Sequence, residues 1–384
     1  MERDTTVMTC YNYGELCDDL LVETLSRLPV KSLMRLRCVS RSWFSLVKDP
    51  KFICKHLTRG DHNRLMVYNE YYIDTYPVDD FVVVPDNTMT DLHFQNFEAA
   101  ETRNYILLGP YEGILCLSEK WNRNKINVWN ISMNEYRILP EPPRPRNGVS
   151  GSRPSNTVIF CCNFAVGLDP MSNDFKLVLI QTLHDERGIS SINDCLPNVA
   201  VYNFSTNSWR HVEEGLFPMG CYLGDEAMNN VYHNGFCYWV APTETPCDYV
   251  AILSFSMSEE VFQEMRGPRV PPITEVNGFE YWTIGLHDDY LSLLHVEESR
   301  RSFGLWMMKG GFWTKRLSFG RFIEWYHPDG FWRNGEFILE SYGGASDCRL
   351  VLYDSNHDEI REFGITGVWF SVRILKESLI TVRE

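Results

Sequence analysis

Cysteine and histidine are the residue types in this sequence that could supply nucleophilic or metal chemistry. The chain has 384 residues, with 12 Cys and 10 His. It contains no His-Glu-x-x-His and no Cys-x-x-Cys spacing, and the adjacent Cys161 and Cys162 cannot form a metal site by themselves. Neither a Gly-x-Ser-x-Gly elbow nor a Gly-x-x-x-x-Gly-Lys phosphate loop is present. We therefore predict no catalytic residue, no metal site and no cofactor.

Three single residues could still act as isolated reactive groups. Cys162 or Cys237 could in principle be a nucleophile, but the apolar run Phe236-Cys237-Tyr238 is typical of a small buried side chain. His357 falls in a turn, where a solvated role is the ordinary one. The residues thus favour a protein that binds over one that catalyses.

Composition and charge restrict the classes of partner. Hydrophobic residues make up 44% and aromatic residues 14%, which indicates a folded core. The net charge is −15, and the acidic excess lies after residue 60, because residues 1–60 hold 10 Lys and Arg against 7 Asp and Glu. Such a surface attracts basic partners and repels nucleic-acid phosphates. We expect no nucleic-acid partner.

The sequence also bears on the compartment. Residues 1–15 contain no apolar signal region, and the sequence has no window of about 18 apolar residues that could span a membrane. The cysteines are scattered at no regular spacing. We expect a reduced cytoplasmic setting, with the nucleus as a second possibility, and no membrane partner.

The spacing of apolar residues in 16–57 predicts a helical unit. Apolar residues recur at helical spacing, Pro29 should end the first helix near Leu28, and Pro50 should close the last one. Two or three short helices are implied. A unit of about 40 residues rarely has a sufficient core of its own, so it should lean on the rest of the chain or on a partner.

After the helices the chain predicts repeated β-hairpins. A bulky apolar or aromatic residue recurs seven positions after an aromatic one, across a polar or small turn. The pairs are Trp129 and Tyr136, Tyr202 and Trp209, Phe255 and Phe262, Trp306 and Trp313, and Tyr353 and Ile360. A period near 50 residues is typical of propeller blades or kelch-like arrays.

Further strands precede most hairpins, so each period holds three or four strands. The first interval is longer, which we attribute to an extra element at residues 165–180. Five or six blades would fit. The predicted fold class is an α+β multi-domain chain: residues 1–15 a tail, 16–57 the trihelical unit, 58–64 a linker, and 65–384 an all-β, kelch-like, propeller-type repeat domain.

The helical unit resembles an F-box. The matching residues are Asp19 to Glu23, Leu25 to Leu33, Arg37 to Ser40, and Ser42-Trp43, although Leu16 is followed by Cys17 where the family has proline. The resemblance implies docking on a Skp-type adaptor, and through it on a cullin and a RING subunit.

The apolar side chains of this unit could be internal core or adaptor contacts. Periodicity alone favours core, whereas the resemblance assigns part of the apolar surface to the adaptor, above all Leu28 and Pro29. The predicted adaptor-binding set is Leu16, Leu20, Leu21, Leu25, Leu28, Pro29, Leu33, Val39 and Trp43. Three basic residues, Lys31, Arg35 and Arg37, predict a solvated face or rim contacts with an acidic adaptor.

The repeats resemble the plant F-box-associated repeat domain. The matching segments include Asn127 to Asn130, Gly167 to Pro170, Val201 to Asn203 and Gly235 to Trp239. The whole chain is similar to the plant S-locus F-box group and its S-locus-like relatives. That resemblance implies a receptor subunit of an SCF-type E3 ubiquitin ligase, not itself an enzyme, that binds S-RNases in pollen during self-incompatibility.

Loops between strands are where such repeats generally bind, and acidic or aromatic loop residues suit a basic protein substrate. The predicted substrate-binding residues are Tyr71, Tyr72, Asp74, Asp185, Glu186, Glu244, Glu297 and Glu298. Plain solvation is the other interpretation of each. Two further functions stay open: a plant receptor for a target outside the S-locus, and a β-propeller enzyme with a helical appendage.

Overall fold

The structure, a computed structural model, begins with four helices. It describes residues 18–59, 64–69, 80–84, 93–96, 105–119, 122, 124–143, 157–185, 196–212, 223, 230–241, 249–269, 282–297, 302–320, 322, 324–333, 335–342, 348–367 and 370–383. The helices are α1 Asp18–Leu25, α2 Val30–Leu36, α3 Arg41–Lys48 and α4 Pro50–Arg59.

The fourth helix corrects the trihelical prediction, because Pro50 begins a helix as well as following the end of α3. Proline suits the first helical position, where an N–H would have no acceptor within the helix. Asp49 caps this start: its Oδ1 accepts the backbone N–H of Lys51 at 2.7 Å and that of Phe52 at 3.3 Å.

The described residues beyond the helices form six antiparallel sheets of four strands each, which we call blades. Blades 1 to 3 contain β1 Arg64–Asn69, β2 Asp80–Val84, β3 His93–Asn96; β4 Tyr105–Tyr111, β5 Ile114–Glu119, β6 Ile126–Asn130, β7 Glu135–Ile138; β8 Thr157–Asp169, β9 Asp174–Asp185, β10 Leu196–Asn203, β11 Ser208–His211. Blades 4 to 6 contain β12 Asn230–His233, β13 Phe236–Ala241, β14 Tyr249–Ser256, β15 Phe262–Arg269; β16 Trp282–His287, β17 Tyr290–Val296, β18 Phe303–Lys309, β19 Phe312–Phe319; β20 Trp325–Arg333, β21 Glu336–Tyr342, β22 Cys348–Asp354, β23 Glu359–Gly367. The remaining strand, β24 Phe370–Leu375, belongs to blade 1.

The six blades surround a central axis. Their innermost strands are β24, β4, β8, β12, β16 and β20, and each contacts the next in a closed ring. This is a propeller, so the predicted fold class is confirmed, with six blades in the part of the chain that the structure describes.

Blade 1 joins the two ends of the repeat domain. Strand β24 pairs antiparallel with β1 over the full length of both, from Arg64 opposite Leu375 to Asn69 opposite Phe370. This pairing closes the ring, because β1 on its other side pairs with β2.

Four of the five predicted anchor pairs lie directly opposite each other across a hairpin. They are Trp129 and Tyr136, Tyr202 and Trp209, Phe255 and Phe262, and Tyr353 and Ile360. Each hairpin has a four-residue turn whose last residue has positive φ: Asn134, Asn207, Glu260 and Asp358.

The fifth pair, Trp306 and Trp313, also lies on the two strands of one hairpin, but not in direct opposition, since Trp313 lies opposite Met308 and Trp306 lies opposite Lys315. Here Gly310 and Gly311, with φ of 60° and 84°, make a two-residue turn, and a register shift follows between Leu305 and Trp306. Two glycines allow the tight turn with positive φ at both positions, which shortens the hairpin.

The predicted extra element near residues 165–180 is instead the first hairpin of blade 3. Strands β8 and β9 pair from Thr157 opposite Asp185 to Asp169 opposite Asp174, and β8 is the innermost strand. Their turn has four residues, whereas first hairpins of other blades turn through two, as at Asn234-Gly235. Because of this longer turn, the sequence pattern did not indicate that residues 157–185 are equivalent to the first hairpins of the other blades.

Blades 3 and 4 are joined by a buried ion cluster. Lys176 Nζ lies 2.8 Å from Asp169 Oδ2, 2.8 Å from Glu260 Oε1 and 2.7 Å from the carbonyl oxygen of Met257. Burial opposes ionisation of Asp169, but hydrogen bonds from Lys176 and from two serines outweigh it and hold the pKa of that carboxyl well below its usual range. Burial also disfavours the charged amine, yet the two carboxylates raise the pKa of Lys176.

Candidate functional site

The helical unit and the propeller share one hydrophobic core. Leu25, Val30 and Leu33 of the helices are buried in the same cluster as Ile114 and Val128 of blade 2. The expectation that the small unit leans on the rest of the chain agrees with this packing. The helices lie against the propeller and not inside it.

Residues 376–383 complete this junction. Leu379, Ile380 and Val382 are buried in the shared core. Glu377 Oε2 accepts the backbone N–H of Val30 at 2.8 Å, and its Oε1 accepts Arg64 Nη2 at 2.6 Å. One carboxylate therefore links the start of α2 to the first strand of the propeller.

Blade 2 holds the same segment through buried polar groups. The amide of Asn130 donates to the carbonyl oxygens of Ser378 at 2.9 Å and Ile380 at 2.8 Å. Glu135 Oε2 accepts the backbone N–H of Val382 at 3.1 Å. These bonds satisfy groups that would otherwise be buried without partners.

An ion-pair cluster ties α1 to α4. Glu23 accepts Arg27 Nη2 at 2.8 Å, Lys55 Nζ at 2.9 Å and Arg59 Nη2 at 2.5 Å. The hydrogen bonds from Lys55 and Arg27 lower the pKa of Glu23 to about 2. The carboxylate thus stays charged across the physiological range.

The predicted adaptor-binding residues fall into four groups. Leu20 and Val39 are 58% and 62% exposed. Four residues are half-buried: Leu21, Leu28, Pro29 and Trp43. Of these, Leu21, Leu28 and Trp43 pack against the shared core. Leu25 and Leu33 are core residues at 3% and 0% exposure, and Leu16 lies outside the described residues. The geometry leaves Leu20 and Val39 as the accessible members.

Phe44 is an exposed aromatic residue of the helical unit that the predicted adaptor-binding set does not include. It is 42% exposed on α3, between Arg37, whose guanidinium carbon lies 5.0 Å from the ring centroid, and Lys48, whose Nζ lies 4.3 Å from it. The available signal was its place on α3 directly after Trp43, which turns it about 100° away from the apolar stripe.

The predicted substrate-binding residues are not brought together by the described structure. Tyr71, Tyr72, Asp74, Glu186, Glu244 and Glu298 lie outside the described residues, and Asp185 is placed only as the last residue of β9. Glu297 is half-buried and forms an ion pair with Lys315 on β19. It therefore has a structural partner within blade 5.

A cavity of about 1500 Å³ lies along the axis of the ring. The innermost strands of all six blades line it, including residues of β12, β16 and β20. Helix α4 forms part of its wall through Cys54, Lys55 and Arg59. The cavity is thus shared by the propeller and the helical unit.

The candidate reactive residues sit in different surroundings. Cys162 and Cys237 are buried at 1% and 0% exposure, and burial raises the pKa of Cys237 well above its usual range. His357 is exposed, with Nδ1 2.7 Å from Asp354 Oδ2, and this hydrogen bond raises its pKa. Among the described residues, no group of three or more His, Cys, Asp or Glu side chains could hold a metal ion.

None of the described helices is long and apolar enough to cross a membrane.

Two family models match the chain. The F-box domain model matches residues 14–55, and the F-box associated beta propeller domain model matches residues 86–360. The first match covers α1 to α3 and six of the ten residues of α4, and the second runs from residue 86, after the end of β2, to the start of β23.

Relatives from Arabidopsis thaliana that match this chain are named as F-box proteins. An F-box/kelch-repeat protein is 23% identical over 273 residues, which is 69% of this chain and 69% of the relative. F-box protein CPR1 is 25% identical over 381 residues, which is 95% of this chain and 84% of the relative. Among solved structures, TolB from Acinetobacter baumannii overlaps with a TM-score of 0.43 at 9% identity, over 84% of this chain and 69% of that one. The propeller model alone covers more than two thirds of the sequence, and the chain belongs to the family of F-box proteins with an F-box associated beta propeller domain.

Proposed function

We propose that this chain is the substrate-recognition subunit of an SCF-type E3 ubiquitin ligase. The observation that carries the proposal is an F-box domain whose inner side is closed against a propeller while apolar side chains remain exposed on its outer side. The helices would bind a Skp-type adaptor, and through it a cullin and a RING subunit. The propeller would bind a protein, and the chain itself would contribute no catalytic group.

The proposed docking surface consists of the exposed Leu20, Val39 and Phe44 together with the half-buried Leu21, Leu28, Pro29 and Trp43. Leu25 and Leu33 support it from the core and are not part of it. Lys31 and Arg35 are exposed on α2, where they would make rim contacts with an acidic adaptor and speed the encounter.

Proximity is the proposed mechanism. The shared core and residues 376–383 fix the propeller relative to the F-box, so a bound protein would be held near the ubiquitin-charged partner. Holding two reactants together raises their effective concentration without any chemistry from the chain that holds them. This mechanism places the protein where the ligase works, in the cytoplasm or the nucleus.

Replacing Leu20 and Val39 by Asp is expected to weaken adaptor binding at least about tenfold, because a charge would be buried against an apolar partner. Both side chains are exposed in the free chain, so the fold should be unaffected. Surface plasmon resonance with an immobilised Skp-type adaptor measures the effect. The matched control is Ile138→Asp with Ile360→Asp, which introduces the same two charges at exposed apolar positions on β7 and β23 of the propeller. Unchanged affinity of the Leu20 and Val39 variant would contradict the docking surface.

The protein target is the narrower part of the proposal. The sequence resemblance and the acidic propeller favour a basic protein, with pollen S-RNases as the named hypothesis and a target outside the S-locus as the alternative. Full-length chain with adaptor should retain an S-RNase on affinity resin at 50 mM salt and release it at about 500 mM, where screening is strong. Lysozyme, a basic protein of another fold, is the control, and equal retention of both would contradict S-RNase as the target.

An enzyme with a propeller fold was the other class left open by the sequence. Its nucleophile candidates, Cys162 and Cys237, lie buried in the core, out of reach of a substrate. We therefore propose the receptor role alone.

A further inference from the structure

The axial cavity contains a carboxylate whose hydrogen bonding is incomplete. Asp329 on β20 lines the cavity, and its side chain is only 10% exposed. Its Oδ1 lies 3.5 Å from His327 Nδ1, beyond the usual hydrogen-bond length. Its Oδ2 is buried and has no hydrogen-bond partner in the part of the chain that the structure describes. A buried carboxylate oxygen in that state is costly unless a cation or a donor reaches it.

A β-bulge places this residue in the cavity. The pairing of β20 with β21 shifts register between Pro328 and Gly330, so Asp329 has no partner across the ladder. An extra residue of this kind bends the strand and redirects its side chain, and such bulges are common beside functional sites. Thr283 of the neighbouring β16 fixes the bulge by donating its hydroxyl to the carbonyl oxygen of Pro328 at 2.7 Å.

Cations already lining the cavity are engaged elsewhere. Lys376 Nζ lies 2.6 Å from Glu112 Oε1, and Lys55 Nζ lies 2.9 Å from Glu23 Oε2. Arg27 and Arg59 also line the cavity and share the Glu23 carboxylate with Lys55. They therefore do not neutralise Asp329 in this structure.

The other acidic side chains that line the cavity also contribute negative charge. Glu336 pairs with Arg361 and Asp354 with His357, so these two are compensated. Asp288 and Asp289 form the exposed turn between β16 and β17 at the cavity, with φ of 49° and 60°. In all, the lining holds six carboxylates, Glu112, Asp288, Asp289, Asp329, Glu336 and Asp354, and four basic side chains, Arg27, Lys55, Arg59 and Lys376. The excess of negative charge favours a cation over an anion.

We propose that the axial cavity binds an ammonium or guanidinium group, with Asp329 as its carboxylate ligand and Asp288 and Asp289 at the entrance. Such a group donates charge-assisted hydrogen bonds to a carboxylate oxygen of this kind. The group could be carried by a free polyamine or by a lysine or arginine side chain of a protein. The cavity volume of about 1500 Å³ admits either as an extended chain. The site does not depend on adaptor docking.

Calorimetric titration of the full chain, without adaptor, tests the site. The probes are spermidine for the free amine and an acetylated, amidated pentalysine peptide for the protein side chain, each at low and at physiological salt. We expect saturable binding of at least one of them. Spermidine alone would assign the site to small amines, and the peptide alone would assign it to protein side chains.

Asp329→Asn is the decisive variant, since it removes the charge and keeps the shape. Affinity should fall about tenfold or more, as expected for loss of a hydrogen bond between charged groups. Glu141→Gln is the matched control: it removes one negative charge at an exposed position that does not line the cavity, and should leave affinity unchanged. Asp289→Asn is a second variant at an exposed turn, where asparagine tolerates positive φ, and should weaken binding about two- to threefold through the lost entrance charge.

Two results would overturn the proposal. The first is no saturable binding of either probe. The second is equal loss of affinity in Asp329→Asn and Glu141→Gln, which would mean that the probes respond to net charge and not to the cavity. If Asp329→Asn melts earlier than the parent chain, Asp289→Asn decides between the same alternatives.

Discussion

Deleting residues 376–384 is expected to lower the free energy of unfolding of the helical unit by about 5 kcal/mol or more. The deletion removes Leu379, Ile380 and Val382 from the shared core, and complete burial of each such side chain contributes about 1.5–3 kcal/mol. It also leaves the buried amide of Asn130 without the two carbonyl oxygens that it binds. Urea denaturation followed by circular dichroism, with limited proteolysis of residues 18–59, measures the effect.

A shorter deletion is the control. Removing residues 383–384 takes away only the exposed Arg383 among the described residues and should change the free energy of unfolding by less than about 0.5 kcal/mol. If both deletions gave the same denaturation midpoint and the same proteolysis rate, the segment would not stabilise the junction.

Lys176→Met is expected to destabilise the propeller by about 3–5 kcal/mol, because it leaves the carboxylates of Asp169 and Glu260 buried without the amine between them. Arg210 also reaches Glu260, but its side chain is largely exposed. Methionine replaces all of the lysine side chain except the terminal amine, so lost packing is a small part of the effect. Thermal and urea denaturation of full-length protein give the value.

Lys125→Met provides the comparison. Lys125 pairs with Glu119 at 3.0 Å with an exposed lysine side chain, and such surface pairs contribute about 0–1 kcal/mol. A loss in Lys176→Met no larger than in Lys125→Met would mean that the buried cluster is solvated and not a joint between blades 3 and 4.

Local patterns in the sequence predicted most of the propeller. All five pairs of bulky residues seven positions apart lie on the two strands of a hairpin, as predicted. In four of them a four-residue turn also places the two residues directly opposite each other, whereas the shorter turn at Gly310 and Gly311 shifts the register of the fifth. Register depends on turn length, which the spacing of side chains alone does not reveal.

Long-range features could not be predicted in the same way. The pairing of β24 with β1 joins segments from opposite ends of the repeat domain, and no local periodicity indicates it. The role of residues 376–383 and the position of Asp329 depend likewise on which surfaces meet after folding. For the helical unit, periodicity identified apolar residues but did not separate core residues such as Leu33 from exposed ones such as Val39.

Closure of the ring by β24 has a consequence for synthesis of the protein. The ribosome releases β1 about 300 residues before β24, and at roughly 5–20 residues per second this interval lasts about 15 to 60 s. During that time the nascent chain exposes the edge of β1, and the F-box helices lack the segment that later covers them. Unpaired strand edges invite aggregation, so chaperones that bind extended apolar segments would protect this polypeptide until its last strand emerges from the tunnel.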